Sequence, residues 1–98
     1  VASVLLAARR AGSEAWAALN IRYDEDIIDG LEGQGLVTAE FDAEYADLDG
    51  AIESALADTP EADVLYQRGG FGVEPIVYLL APDAPTATER VRTLLPDG

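Results

Sequence analysis

Residues 63–80, DVLYQRGGFGVEPIVYLL, decide the fold of this chain. Two short apolar segments, 64–66 and 76–80, flank Arg68 and a glycine-rich loop. This arrangement predicts two antiparallel strands, the second apolar enough to be buried on both faces. The loop has two interpretations. Its glycines allow the backbone to approach an anionic ligand beside Arg68, or they serve only the geometry of a hairpin turn. Taken alone, the loop favours the turn.

Helices and strands are predicted to alternate on either side of this stretch. The first helix is expected from residue 1 to Gly12, and a short second one over 14–18 after a Ser13 cap. A third is expected after an Asp24 cap, with Ile27, Ile28 and Leu31 inward and Gly33 or Gly35 at its end. A fourth is expected from Asp47 to before Pro60, and a fifth from Ala84-Pro85 onward with Val91, Leu94 and Leu95 inward. Further strands are expected over 19–23 and 36–41. Alternation of this kind predicts an α/β layered sheet in a single domain covering residues 1–98.

The composition excludes several classes of chemistry. The 98 residues include no cysteine and no histidine, so disulfides, thiolate zinc sites and catalytic triads that need histidine are excluded. The longest apolar runs are too short to span a bilayer, and a cytoplasmic protein without a membrane partner is expected.

The charge is strongly negative. Nineteen acidic residues stand against six basic ones, all arginine, which gives a net charge of −13. Such a surface repels phosphate backbones, so direct nucleic-acid binding is not expected. Because nearly half of the residues are hydrophobic, the charge indicates a solvated coat on a globular protein from a high-salt cytoplasm.

Two strand ends carry polar groups suited to binding an anion. In the predicted strand 19–23, Asn20 and Arg22 point to one face, and their donors suit a phosphate or carboxylate. A surface ion pair of Arg22 with one of the acidic residues 24–26 is an equally weighted alternative. That acidic run could also ligate magnesium, although helix capping is favoured.

The second strand end is the glycine-rich loop. Tyr66 and Arg68 share one face of their strand, and Gln67 lies on the other. In the functional interpretation, Arg68 and backbone N–H groups hold an anion while Tyr66 or Phe71 stacks on a ring. The glycines of that cradle would be Gly69, Gly70 and Gly72.

Three segments together resemble a known family. The segment 18–23, ALNIRY, is followed by a helix, then by Phe41-Asp42 at a strand end, and then by 63–75, DVLYQRGGFGVEP. Their order and spacing resemble the ThiN family of archaeal-type thiamine-phosphate synthase domains over nearly the whole chain. The full family domain is nearly twice as long, so the chain resembles its C-terminal part.

The resemblance implies a function in thiamine biosynthesis. Family members condense hydroxymethylpyrimidine diphosphate with thiazole phosphate to give thiamine phosphate, often behind a fused pyrimidine kinase. Others follow a helix-turn-helix domain and sense thiamine phosphate as transcriptional regulators, which is the alternative function. The implied fold is a three-layer α/β/α sandwich with a mixed sheet, similar to class II aldolases and here a partial domain. Together with the acidic composition, the resemblance suggests a salt-adapted archaeon.

The resemblance also implies roles for particular residues. Asn20 and Arg22 would contact a phosphate of the ligand, and Arg68 with the loop glycines would form the opposite wall. Glu74 would orient an arginine or a pyrimidine amine. The full enzyme would use Mg²⁺, with no metal site expected within this chain, and a homodimer through an exposed strand or the first helix is a further expectation. Val73 stands where many members have lysine, so one positive charge near the loop is missing.

Overall fold

The structure is a computed structural model that describes residues 2–41, 48–69 and 75–92. Several predicted features lie outside these ranges. They are the helix start at Asp47, the loop residues Gly70, Phe71, Gly72 and Glu74, and the last apolar positions Leu94 and Leu95.

The described ranges contain alternating helices and strands. The helices are α1 (Ala2–Arg10), α2 (Glu25–Gly33), α3 (Leu48–Asp58) and α4 (Ala84–Arg92). The strands are β1 (Ala17–Ile21), β2 (Thr38–Glu40), β3 (Val64–Gln67) and β4 (Ile76–Ala81). Within the described ranges, none of these helices has the length and apolar character that crossing a bilayer requires.

The four strands form one mixed sheet in the order β1-β4-β3-β2. The predicted antiparallel pair β3–β4 is confirmed, with Leu65 opposite Tyr78. Strand β4 is also antiparallel to β1, and β2 is parallel to β3. Strands β1, β2 and β3 therefore run in one direction and β4 in the other, which confirms an α/β fold with a mixed sheet.

Helices cover both faces of this sheet. On one face, α1 and α3 pack against alternate residues of the sheet in a cluster that contains Val4, Ile52, Leu56, Leu65, Tyr78 and Leu80. On the other face, α2 packs against the intervening residues in a cluster that contains Ile28, Leu31, Val64, Val77 and Leu79, with Val91 of α4 against it. Strand β4 is buried on both faces, as its apolar run predicts. The described elements thus form three layers.

Helix α2 begins and ends where the sequence predicts. The Asp24 carboxylate caps it by accepting a hydrogen bond of 2.8 Å from the Asp26 N–H. Gly35, just after the helix, has φ of 89°, a left-handed conformation that favours glycine. The Asp24 cap fixes the point at which the chain leaves β1 and enters α2.

The predicted short helix over residues 14–18 is wrong. The Ser13 hydroxyl does accept a hydrogen bond from the Ala15 N–H, but the chain then joins the sheet. The Trp16 N–H donates to the Ala81 carbonyl at 3.0 Å, and Ala17 pairs with Ala81. A helix of five residues forms few internal hydrogen bonds, whereas pairing with β4 satisfies the backbone along the whole segment.

Because β1 pairs earlier than expected, the predicted strand 19–23 is shifted. The observed strand spans Ala17–Ile21, so Arg22 lies beyond its end. The predicted strand 36–41 is likewise shorter, with β2 restricted to Thr38–Glu40. Before β2, the Val37 N–H donates to the Asp63 carboxylate at 3.0 Å, which ties the start of β2 to the start of β3.

Candidate functional site

The candidate site lies at the edge of the sheet where β1, β2 and β3 end. Since these strands run in one direction, Arg22 after β1, Glu40 at the end of β2 and Arg68 after β3 all lie at this edge. In open α/β sheets, ligands bind outside the carboxyl ends of the strands. The topology therefore places both arginines of the sequence motifs at the edge where a ligand site is expected.

Arg68 is anchored at this edge by an aromatic ring and a carboxylate. Its guanidinium carbon lies 5.9 Å from the ring centroid of Tyr66, and its Nε lies 3.9 Å from Glu40 Oε2. A hydrogen bond to the Tyr66 hydroxyl raises the pKa of Arg68, so its positive charge is secure. The side chain is 59% exposed and so remains accessible to a ligand. Tyr66 and Arg68 thus lie on one side of the chain, as strand alternation predicts.

A shallow cavity of about 160 Å³ opens beside Arg68, on the face of the sheet that carries α2. It is lined by Tyr23, Glu25, Ile28, Asp29, Tyr66 and Arg68. The Tyr23 and Tyr66 rings are 6.4 Å apart between centroids and tilted by 31°, within the range of favourable aromatic pairs. The cavity therefore combines two aromatic rings with both signs of charge.

The pKa of the Tyr23 hydroxyl reflects the burial and the charges around this cavity. Partial burial raises the pKa of its hydroxyl, and the nearby carboxylate of Glu25 raises it further. The positive charge of Arg68 acts in the opposite direction. The hydroxyl is therefore protonated at neutral pH and available as a hydrogen-bond donor.

Arg22 is exposed directly after β1. Within the described ranges, it forms no ion pair with the acidic residues 24–26, which was the alternative interpretation of this residue. Asp24 instead caps α2, and Glu25 and Asp26 occupy its first turn. The role of Arg22 in phosphate binding stays a prediction.

Asn20 lies away from the cavity. Its β1 neighbours Leu19 and Ile21 pack with the α2 face, whereas Ala18 packs with the α1 and α3 face. Strand alternation therefore places Asn20 with Ala18, on the side opposite Tyr23 and Tyr66. The structure thus does not bring Asn20 together with the cavity next to Arg68, and Arg22, which was predicted to share a face with Asn20, does not line the cavity either.

The glycine-rich loop connects the antiparallel strands β3 and β4. This connection agrees with both interpretations of the loop, the anion cradle and the simple turn. Gly69 has φ of 82°, a left-handed conformation in which glycine is strongly favoured. The ligand roles proposed for Gly70, Gly72 and Glu74 fall on residues outside the described ranges. They stay predictions of the resemblance.

Sequence reasoning missed three residues of the cavity, Tyr23, Glu25 and Asp29. The sequence pattern contains part of the information needed to find them. Tyr23 shares a face with Ile21, and Glu25 and Asp29 are four residues apart on α2. What the sequence lacks is the parallel direction of β1 and β3, which brings Tyr23 next to Tyr66.

A larger cavity of about 430 Å³ lies near the opposite edge of the sheet, where β1 and β3 begin. Arg90 lines it, but this arginine donates to the Leu80 carbonyl at 2.9 Å and lies 4.0 Å from the Asp63 carboxylate. The other charged residues lining it, Glu14, Glu61 and Asp63, are acidic. Because the side chain of Arg90 is 22% exposed and that of Arg68 is 59% exposed, an anionic ligand approaches Arg68 more easily.

The acidic residues could also be considered as ligands for magnesium. In the described part of the chain, no three acidic side chains come close enough together to hold a metal ion. These described residues alone therefore do not form a magnesium site. The metal implied for the full enzyme stays a prediction.

Comparison with known proteins gives consistent matches. The family model described as thiamine-phosphate synthase ThiN matches residues 1–93. The thiamine-phosphate synthase ThiN of Methanothermobacter thermautotrophicus is 34% identical in an alignment of 84 positions, and the match covers 74% of this chain and 44% of that protein.

Two crystal structures share the fold. The C-terminal domain of phosphomethylpyrimidine kinase has a TM-score of 0.81 and 24% identity, over 96% of this chain and 59% of that one. The C-terminal domain of protein MJ0236 has a TM-score of 0.78 and 26% identity, over 95% and 54%. The chain thus spans about half the length of the proteins that it matches.

Proposed function

The chain belongs to the thiamine-phosphate synthase ThiN family, and from this premise we propose that it binds thiamine phosphate, or the pyrimidine diphosphate and thiazole phosphate from which it is made, at the edge with Arg68. The observation that carries the proposal is the position of Arg68. An exposed guanidinium, held by Tyr66, stands where the parallel strands end and borders a cavity with aromatic walls. The family membership and the position of Arg68 both support this proposal.

In this proposal the arginines bind phosphate oxygens. A guanidinium presents planar, paired donors that match phosphate, and a charge-assisted hydrogen bond is about twice as strong as a neutral one. Arg68 lies beside the cavity, whereas Arg22 lies at the same edge of the sheet without lining the cavity and would add a second positive charge from there. The two arginines would offset part of the repulsion that a phosphate meets near a chain of net charge −13.

The catalytic role follows from the same charges. In a dissociative condensation, the departing diphosphate gains negative charge, and arginines stabilise it without a covalent nucleophile. Since this chain spans about half of its relatives, synthesis of thiamine phosphate is proposed for the longer domain, with this chain contributing part of the phosphate site.

Calorimetric titration of thiamine phosphate in molar potassium chloride tests the proposal. Arg68→Ala is expected to weaken binding by about tenfold or more, because it removes a charge-assisted hydrogen bond. Arg22→Ala is expected to weaken binding as well. Arg10→Ala is the matched control, since Arg10 is similarly exposed but pairs with Asp49 and Glu53 on the other face. Absence of binding, or equal losses in the Arg10 and Arg68 variants, would contradict the proposal.

The alternative is a ligand-sensing domain in a transcriptional regulator, and the same titration leaves it open. The discriminating measurement is product formation by the longer parent protein from the two precursors. Synthesis supports the enzyme. Binding without synthesis, together with a change in DNA affinity of a fused domain, supports the sensor.

A further inference from the structure

The cavity beside Arg68 is polarised, with negative charge on one side and positive charge on the other. Glu25 and Asp29 line it from α2, four residues apart on one face of the helix. Within the described ranges, neither carboxylate forms an ion pair. Arg68 lines the cavity from the end of β3. A ligand that suits both sides carries a positive group at one end and a negative group at the other.

The size and walls of the cavity restrict the positive group. Sites for drug-sized ligands have volumes of about 300–1,000 Å³, and this cavity of about 160 Å³ accommodates only a fragment such as a single ring. Tyr23 and Tyr66 provide aromatic surfaces, and the buried residue Ile28 adds an apolar one. The electron-rich faces of tyrosine rings attract flat cations. The walls therefore suit a cationic heteroaromatic ring.

We infer that this cavity binds the ring of the ligand in its positively charged form and thereby selects the thiazolium of thiamine phosphate over the neutral ring of thiazole phosphate. The inference rests on the proposed function and adds Tyr23, Glu25 and Asp29 as residues that determine specificity. The two carboxylates and the tyrosine faces stabilise the positive ring, while the phosphate extends outward to Arg68. The site is then complementary to the charge distribution of the condensation product.

The raised pKa of the Tyr23 hydroxyl agrees with this assignment. After burial, the charge of Glu25 is the largest cause of the shift and exceeds the opposing effect of Arg68, so the carboxylate contributes a negative potential at the Tyr23 hydroxyl. A cationic ring beside Tyr23 would experience the same charge as attraction.

The test compares two phosphates that differ in little besides ring charge: thiazole phosphate and its N-methyl thiazolium derivative. Calorimetry in molar potassium chloride is expected to give about tenfold tighter binding of the charged ring. The Glu25→Gln, Asp29→Asn double variant is expected to reduce this preference to less than about threefold. Arg68→Ala should weaken both ligands by similar factors, because both carry the same phosphate.

Substitutions of Tyr23 separate the ring from the hydroxyl. Tyr23→Phe is expected to keep the preference for the charged ring, whereas Tyr23→Leu is expected to lose most of it. The Asp49→Asn, Glu53→Gln double variant is the control, since it removes two carboxylates on the other face of the sheet. Thermal unfolding of each variant verifies that it is folded before titration.

The outcomes separate this inference from the proposed function. If wild-type protein binds both phosphates equally, or if the Glu25 and Asp29 double variant keeps the full preference, the ring assignment is overturned and the phosphate site stands. If neither phosphate binds and thiamine phosphate does not bind either, the proposed function fails and the ring assignment fails with it. A preference that falls only in the cavity variants supports both.

Discussion

Glu40 Oε2 lies 3.9 Å from Nε of Arg68, so the neighbouring parallel strands β2 and β3 end in an ion pair. Both side chains are more than half exposed. The carboxylate thus occupies one side of the guanidinium that the proposed phosphate needs. A phosphate that binds Arg68 either displaces Glu40 or approaches from the other side, and in both cases it meets a negative charge.

Removal of the Glu40 charge should therefore favour phosphate binding. We expect Glu40→Gln to raise the affinity for thiamine phosphate by up to about fivefold, the range that exposed ion pairs allow. Titration of both proteins at the same ionic strength measures the change. Glu53→Gln is the control, because Glu53 is comparably exposed and pairs with Arg10 on the opposite face. A loss of affinity in Glu40→Gln would instead mean that Glu40 positions Arg68 for the ligand.

The buried residue Leu79 should contribute much more to the free energy of unfolding than an exposed leucine. It is fully buried in β4 between β1 and β3 and packs on the α2 face. We expect Leu79→Ala to lower the free energy of unfolding by about 2–5 kcal/mol. Leu6→Ala is the comparison, since Leu6 is 58% exposed on α1, and surface changes stay within about 0.5 kcal/mol. Equal effects in urea denaturation would contradict this assignment of the core.

Asp83 should make the stability of α4 depend on pH. Its carboxylate accepts a hydrogen bond of 2.7 Å from the Thr86 N–H at the start of this helix. Hydrogen bonds from the Thr86 side chain and backbone lower the pKa of Asp83 below its ordinary value of 3.8. Because the folded-state pKa is the lower one, the stabilisation is complete above the unfolded pKa and is lost as pH falls through the folded pKa.

The measurement is the difference in Tm between wild type and Asp83→Ala across the acidic range. This difference should be constant above about pH 5 and should shrink as the pH falls below about pH 4. Asp83→Asn keeps an acceptor for the cap but does not titrate, so its Tm relative to Asp83→Ala should vary little with pH. A difference that is independent of pH for wild type would exclude a titrating cap.

Local signals in the sequence predicted much of the fold. The Asp24 cap, the apolar run of β4 and the glycines after α1 and α2 act over a few residues, and the structure contains each of these features. They depend on backbone preferences and burial that a short segment already carries. The sequence therefore predicts a helix or a strand correctly where one local signal, such as a cap or an apolar run, is strong.

Long-range pairing accounts for the main error. Residues 14–18 carry alanines and a serine cap that favour a helix, but pairing of Ala17 with Ala81 overrides this local preference. Arg9 then packs over Trp16, with its guanidinium carbon 3.4 Å from the ring centroid, and donates to the Ala15 carbonyl at 2.7 Å. These contacts join residues six and seven positions apart, beyond the spacing of three or four residues that a helical pattern uses.

The candidate site was predictable only in part for the same reason. Arg68 followed from the loop motif, and the structure places it beside a cavity. Asn20 was expected near it, yet strand alternation places the two on different faces. The cavity depends on Tyr23 and Tyr66 meeting across β4, which requires the strand order as well as the sequence.

The net charge of −13 should make folding depend on salt. Self-repulsion destabilises the compact state, and the screening length falls from about 10 Å at 0.1 M salt to about 3 Å at 1 M. We therefore expect the Tm to rise steadily as potassium chloride increases over this range. Thermal unfolding followed by circular dichroism measures the trend.

A variant with fewer charges separates screening from other salt effects. Glu14, Asp58 and Glu61 are exposed, and replacing them with Gln, Asn and Gln removes three negative charges. The triple variant should be more stable than wild type at low salt, and the gap should close at high salt, because screening leaves less repulsion to relieve. If wild type keeps full stability in dilute buffer and the triple variant gains nothing there, self-repulsion does not limit this fold.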